Sequence, residues 1–272
     1  MGSQVSNLCL KCFDPSRDNI EYENIPTSND STVVELLDIK SHEEPLRPET
    51  QHNNLSVLEK PQENTNILHV AIEEAKKEFL AYANSPMSHD DCEELHNKDG
   101  YTIYGKDLER GFILKSQWKI PYTPSEYLGL FLNLDERVKW DPHIQEIKLI
   151  SKDNDGYAMT HTKLKKHPVV SQRDIVSESK LFHLDDGMLI VSKSCEHPDY
   201  PATKDMVRMI LFLTGYYVQP IEEDEEGNKS KVFNVIKIDF GGSFPQKMVK
   251  KANVLEVQKM NKAILKVLKN KA

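Results

Sequence analysis

The residues with the most explicit chemistry lie at the N-terminus. Met1-Gly2-Ser3-Gln4-Val5-Ser6 fits the pattern for N-myristoylation of Gly2 once Met1 is removed. Cys9 and Cys12 follow shortly after. Their Cys-x-x-Cys spacing is half of a zinc site or a redox pair. No second pair follows and no His-x-x-x-His occurs, so metal binding is not expected. The same thiols are placed to accept palmitate. One myristoyl chain binds a bilayer only marginally, and a second acyl chain makes attachment stable. Gly2, Cys9 and Cys12 are the expected lipidation sites.

Familiar catalytic patterns do not occur. The sequence contains no Gly-x-Ser-x-Gly elbow, no His-Glu-x-x-His, no P-loop and no dinucleotide fingerprint. His161 and His167 fall on a strand and a loop with no obvious partner. The chain is not read as an enzyme, and no catalytic residue, metal or cofactor is expected.

Composition narrows the setting. The 272 residues carry a net charge of −8, and 38% are hydrophobic, below the usual share for a globular domain. A polar segment diluting an ordinary domain explains the deficit. Residues 1–64 hold 5 Lys+Arg against 12 Asp+Glu, whereas residues 245–272 hold eight Lys and one Glu. An acidic chain with one basic end suits no nucleic acid, but that end suits anionic lipid head groups. Four cysteines in no secreted framework, no apolar run long enough to span a bilayer and no cleavable leader point to reducing cytosol. The expected location is cytoplasmic, peripheral on the cytosolic face of a membrane.

The elements follow from periodicity. Residues 1–12 read as an acylated anchor and residues 13–64 as an acidic, disordered tether, rich in Asp, Glu, Asn, Ser, Thr and Pro. Within the tether, Val33-Val34-Glu35-Leu36-Leu37 is either a docking peptide or a transient helix. A folded domain over residues 65–272 begins with an amphipathic helix from Asn64–Asn66, in which Ile67, Val70, Ala71, Ala75, Phe79 and Tyr82 share a face. Asn84-Ser85-Pro86 stops it. Strands are expected at Tyr101–Tyr104 and Phe112–Ile120, and a second helix from Pro124 to about Leu134, capped by Thr123 or Ser125. Further strands follow at Ile147–Ser151, Tyr157–Leu164, Arg173–Leu184, Met188–Cys195, Met206–Gln219 and Lys231–Phe240. Turns at Asn154-Asp155-Gly156, Asp185-Asp186-Gly187 and Glu226-Gly227-Asn228 join several of them. Hairpins without intervening helices make an antiparallel sheet, and a long C-terminal helix near Pro245 covers one face. Met209-Ile210-Leu211-Phe212-Leu213 is apolar on both strand faces. One side packs under a helix, and the other is either core or the lining of a cavity.

At this point the sequence resembles the START family, over roughly Ile67 to Leu268. The landmarks are Arg137-x-x-Trp140-Asp141, Ser171-Gln172-Arg173-Asp174, His197-Pro198 before Val207-Arg208, Lys231-Val232-Phe233, and Asp239-Phe240-Gly241-Gly242-Ser243-Phe244-Pro245. The motifs lie nearest the phosphatidylcholine and ceramide transfer branch. The resemblance implies an α+β helix-grip fold: a curved antiparallel sheet around a long C-terminal helix, with an internal lipid tunnel. It implies a monomer that binds one phospholipid, sphingolipid or sterol and meets a membrane surface. Either the chain transfers that lipid between membranes, or it acts as a lipid-gated sensor or scaffold; a third alternative is a hydrolase, since related helix-grip folds host such enzymes.

The resemblance places Arg137 and Asp141 at the lipid head group, since a guanidinium fork suits phosphate or hydroxyl oxygens and a carboxylate accepts hydroxyl or amine donors. The alternative is that the two pair with each other or cap the helix end. Thr162, Ile175, Arg208, Ile210, Phe212 and Thr214 complete the implied lining. Thr162, Ile175 and Phe212 stand where the choline-binding branch has an aromatic cage. Only one aromatic remains, so the pattern departs from that branch; Thr162 also departs from the ceramide and cholesterol branches. Arg173 and Asp174 read as fold-stabilising. The loop with Lys165, Lys166, Val169 and Val170 is either a membrane contact or an ordinary connection. On the last helix, Met248, Ala252, Leu255, Val257, Met260, Ile264 and Leu268 should face inward, with Lys250, Lys251, Lys259, Lys262, Lys266 and Lys269 outside.

Overall fold

A computed structural model of the chain describes residues 63–166, 171–242 and 246–271. The expected anchor and nearly all of the tether, with Gly2, Cys9, Cys12 and Val33–Leu37, lie outside the described residues, as do Val169 and Val170.

The first helix, α1, spans Glu63–Ala83. Ser85 closes it by donating its hydroxyl to the Ala81 carbonyl at 2.7 Å. Strand β1 (Glu93–Lys98) was not expected: its Glu-Glu-Leu-His-Asn-Lys sequence has no apolar alternation. It forms because Asp99 and Gly100, both at positive φ, turn the chain into β2 (Tyr101–Asp107). β3 occupies Phe112–Ile120, as expected.

The expected second helix is two. α2 spans Pro124–Leu132 and α3 spans Leu134–Trp140. Asn133 separates them, and its side chain caps α3 by accepting the Glu136 N–H at 3.1 Å. Of the two cap candidates for α2, Thr123 fills the role in a capping box with Glu126.

The remaining strands are β4 (Ile144–Lys152), β5 (Ala158–Leu164), β6 (Arg173–Leu184), β7 (Gly187–Ser194), β8 (Val207–Arg208), β9 (Ile210–Pro220) and β10 (Ser230–Asp239). The final helix, α4, spans Gln246–Lys271. The sheet order is β1-β2-β3-β10-β9-β7-β6-β5-β4, antiparallel throughout, with β8 added parallel to β6. The run expected as one strand from Met206 is thus divided at Met209.

The sheet has two covered faces. On the outer face, Ile72, Ala75 and Phe79 of α1 pack against Ile113, Leu189, Val191, Leu213, Phe233 and Val235, all buried. Burying each large apolar side chain contributes about 1.5–3 kcal/mol. Gly215 allows this closeness, because a Cβ there would come within 3.0 Å of the Phe79 ring. The inner face lies under α2 and α4, with Trp118, Tyr127, Leu128, Phe131, Val232, Val257, Ile264 and Leu268 in one cluster.

Candidate functional site

Four-residue spacing on α3 puts Arg137 and Asp141 on one side of the helix. Asp141 ends α3, donating its N–H to the Arg137 carbonyl at 2.9 Å. Its carboxylate is 1% exposed and is held by two donors: Arg137 Nε at 3.4 Å and the His143 backbone N–H at 3.0 Å. Arg137 and Asp141 therefore pair with each other in this structure. Lys165 closes the same corner, giving its ammonium to the Asp141 carbonyl at 3.0 Å and its N–H to the His143 carbonyl at 2.8 Å. Lys165 and Lys166 are both exposed, but Lys165 is bonded inward.

The Phe131 ring is the hub beside this pair. The Arg137 guanidinium lies 5.1 Å from its centroid, Trp140 meets it edge-on at 5.8 Å, and Tyr216 of β9 packs against it at 4.9 Å. Burial pushes the Tyr216 hydroxyl well up; the Asp141 charge raises it further and the Arg137 charge offsets part. The corner between α3 and the sheet centre thus joins a cation, an anion and three aromatic rings.

Several expected lining residues share the inner face. Thr162 pairs with Ile175 across β5 and β6, Thr214 pairs with Ile236 across β9 and β10, and Ile175 and Ile236 pack with the inner cluster. A bulge in β9 falls at Phe212: Leu213 pairs with Lys237, and Leu211 pairs with Ile238. Strict alternation therefore breaks there, and Leu211, which the sequence reading passed over, packs with the inner cluster. Ile210 pairs with Asp239.

Arg208 is engaged by a carboxylate. Asp174 alternates with the inward-packing Ile175 and so lies on the opposite side of β6. The parallel pairing of β8 with β6 sets Arg208 beside it. Arg208 grips Asp174 with two bonds, Nε at 3.0 Å and Nη2 at 2.9 Å, and also donates to the Tyr200 carbonyl. His161 adds a contact to Asp174 at 2.9 Å. Burial works to raise the Asp174 carboxyl, but hydrogen bonds from Arg208 and His161 outweigh it and hold it below its ordinary value. In this structure Arg208 is spent on Asp174 and on two backbone carbonyls. Arg173 acts similarly, donating to the Phe240 and Ser171 carbonyls.

On α4, Val257, Ile264 and Leu268 are buried, Met260 is half-buried, and Lys259, Lys262, Lys266 and Lys269 are exposed. Leu255 departs from the expected stripe, being 47% exposed; Val254 takes the inward position. Sequence reasoning also missed Asn261 on this face. It accepts from the buried Tyr127 hydroxyl at 3.1 Å and donates to the Tyr101 hydroxyl at 2.6 Å, fixing α4 over the sheet. The side chains of Met248, Lys250, Lys251 and Ala252 lie outside the described residues.

Among the described residues, no group of three or more His, Cys, Asp or Glu side chains could hold a metal ion. Also among them, no helix is long and apolar enough to cross a membrane.

Comparison with known proteins agrees with this architecture. The structure of human StAR-related lipid transfer protein 5 matches with a TM-score of 0.66 at 18% identity, covering 76% of this chain and 98% of that one. In sequence, START domain-containing protein 10 from Mus musculus is 25% identical over 180 residues, 63% of this chain and 60% of that protein. The phosphatidylcholine transfer protein of Rattus norvegicus is 26% identical over 152 residues, 54% of this chain and 68% of that protein. The match to START domain-containing protein 10 thus spans less than two thirds of that relative's length. Residues 92–271 match the family model of the START domain. With its helix-grip sheet and C-terminal helix, the chain belongs to the START domain family.

Proposed function

We propose that the chain holds a single lipid between the inner face of its sheet and helices α2 and α4, and carries it between membranes. The observation that carries this reading is a contrast across the sheet. Ile175, Leu211, Tyr216 and Ile236 on the inner face keep accessible surface in the middle of the sheet, beneath helices. Their outer-face neighbours Val176, Leu213 and Val235 keep none. Apolar surface left open inside a fold suits an apolar occupant.

In this reading Arg137 and Asp141 exchange their mutual contact for a lipid head group. Thr162 and Thr214 border the lipid, with Phe212 and Ile210 near the β9 bulge. The exposed lysines of α4, the loop at Lys165 and Lys166 with Val169 and Val170, and acylation at Gly2, Cys9 and Cys12 hold the carrier at the cytosolic face of a membrane. The chain acts as a monomeric carrier, not an enzyme.

Native mass spectrometry of the full chain after exposure to mixed-lipid vesicles tests the first step, with an expected mass of one lipid per chain. Transfer of fluorescent lipid between vesicles tests the second. Bound lipid without transfer would replace the carrier with a sensor, and no bound lipid would end both readings.

A further inference from the structure

The outer face holds an ionisable group that the carrier reading does not use. Glu178 of β6 is buried beside α1, and its Oε2 is enclosed without a hydrogen-bond partner. Its Oε1 stands 3.9 Å from His69 Nε2, too far for a hydrogen bond. That nitrogen is committed elsewhere. It lies 2.9 Å from Asp153 Oδ2, and the imidazole stacks on the Tyr157 ring at 3.7 Å. His69 thus ties the first half of α1 to the turn between β4 and β5, next to the carboxyl.

The surrounding charges leave Glu178 without a partner. On α1, Glu73 accepts from the Tyr157 hydroxyl at 2.9 Å, and Lys76 sits over the Phe182 ring. On β6, Lys180 lies 3.9 Å over the Tyr157 ring and 3.8 Å from Glu73. On β7, Lys193 stands opposite Glu178 in the strand register, but among the described residues it forms no ion pair with it. Arg208 of β8 is spent on Asp174. Cys195 is a neutral thiol, pushed up to about 12 by burial and then by the Glu178 charge. Asp153 is an anion and repels a second one.

A carboxylate at this position is dehydrated and unpaired, whereas the protonated acid avoids most of that cost. Burial first, and then the Asp153 charge, raise the Glu178 pKa from 4.5 to about 7. Lifting the first turns of α1 removes His69 and admits water, so ionisation favours lifting. The docked state has the raised pKa. Docking is therefore favoured fully below about pH 4.5, and that gain is lost as pH rises through about 7.

We propose that Glu178 is a proton-operated latch: protonated, it lets the first turns of α1 lie on the sheet, and ionised, it releases them. Release uncovers the part of the outer core to which Ile72 belongs. The latch lies on the face of the sheet opposite the proposed lipid, so it does not depend on the carrier reading.

Hydrogen–deuterium exchange of the full chain at pH 6 and pH 8, corrected for the intrinsic amide rate and read by mass spectrometry, tests the latch. Residues 66–76 are expected to lose about tenfold in protection between the two pH values, as a carboxyl with a pKa of about 7 ionises. At pH 8 they should also exchange faster than β3, since a latch opens locally. Glu178→Gln cannot ionise and should keep at pH 8 the protection that the wild type has at pH 6. Glu178→Met, equally uncharged, takes its place if the amide does not fold. Wild-type protection that is the same at both pH values overturns the inference. So does a fall that persists in the uncharged variant, which assigns the titration to His69 or another group. Exchange of α1 no faster than that of β3 overturns it as well, because the whole domain then opens together.

Discussion

The outer and inner faces of the sheet are built from similar apolar residues but are enclosed differently. Outside, α1 presses Ile72 and Phe79 onto Leu189, Val191, Leu213 and Val235, and none of these keeps accessible surface. Inside, α2 and α4 cover the sheet, yet Ile175, Leu211, Tyr216 and Ile236 remain half-buried beneath them. A close-packed interior tolerates few voids, because unfilled space forfeits dispersion contacts. One face is therefore a finished core. The other keeps half-buried apolar side chains at its centre, and in the carrier reading proposed above a lipid completes its packing.

Truncation on either side of the sheet should break this contrast if it is wrong. Leu213→Ala removes atoms from the packed outer face and should cost about 3 kcal/mol of stability. Ile236→Ala, on the inner face, removes atoms from a side chain that is only half-buried and should cost about 1.5 kcal/mol in lipid-free protein. Urea denaturation of both variants measures the difference. Loading the proteins with lipid should enlarge the Ile236→Ala loss and leave the Leu213→Ala loss unchanged. Equal losses in the lipid-free state would mean that the inner face is packed as fully as the outer.

Charged residues sharpen the comparison. Asp174 on the outer side is held by Arg208 and His161, so Arg208→Ala leaves a buried carboxylate short of its bidentate partner. Removing one partner of such a pair is expected to cost about 3 kcal/mol. The folded-state pKa of Asp174 lies below its ordinary value, so its contribution is present near neutral pH and is lost as pH falls through that folded pKa. Arg208→Ala should therefore lower thermal stability at neutral pH while extracted lipid, measured per folded molecule, stays unchanged. A changed lipid profile with unaltered melting would return Arg208 to the ligand.

The fate of Arg208 marks the boundary of what the sequence made legible. β3 and β6 have the ends the sequence led us to expect, and four-residue spacing brought Arg137 to Asp141. Features that depend on distant partners were hidden. Arg208 reads as ligand-facing until the parallel β6–β8 pairing places it against Asp174. The register of the apolar run in β9 depends on a bulge opposite Lys237 and Ile238, which no local pattern announces. Asn261 looks like an interruption of an apolar helix face until Tyr127 and Tyr101 arrive from far along the chain. β1 is the opposite case: its composition argues against a strand, and the Asp99-Gly100 turn overrides it. Trp140 was visible as a residue, but its enclosed indole nitrogen without a hydrogen-bond partner is a property of the assembled fold.

A pH-dependent effect concerns a carboxyl that the tight outer face encloses without adequate partners. Glu178 lies on the Val176 side of β6, is 5% exposed, and has one oxygen without a hydrogen bond. His69 of α1 stands 3.9 Å from its other oxygen. Burial first, and then the Asp153 charge, raise its pKa from 4.5 to about 7. Asp141, on the inner side, shares its depth but has Arg137 and the His143 N–H to hold it. For Glu178 the folded pKa exceeds the unfolded one, so the folded protein favours the protonated carboxyl. Its contribution is fully present below about pH 4.5 and is lost as pH rises through about 7. Glu178→Gln copies the neutral form. It should leave stability nearly unchanged at pH 4.5 and raise it by about 2 kcal/mol at pH 8. Urea midpoints across that range measure the effect, and a His69→Ala background isolates the carboxyl from its imidazole neighbour. A gain that is the same at every pH would show that Glu178 stays charged, and that the outer face is less completely enclosed than its apolar residues indicate.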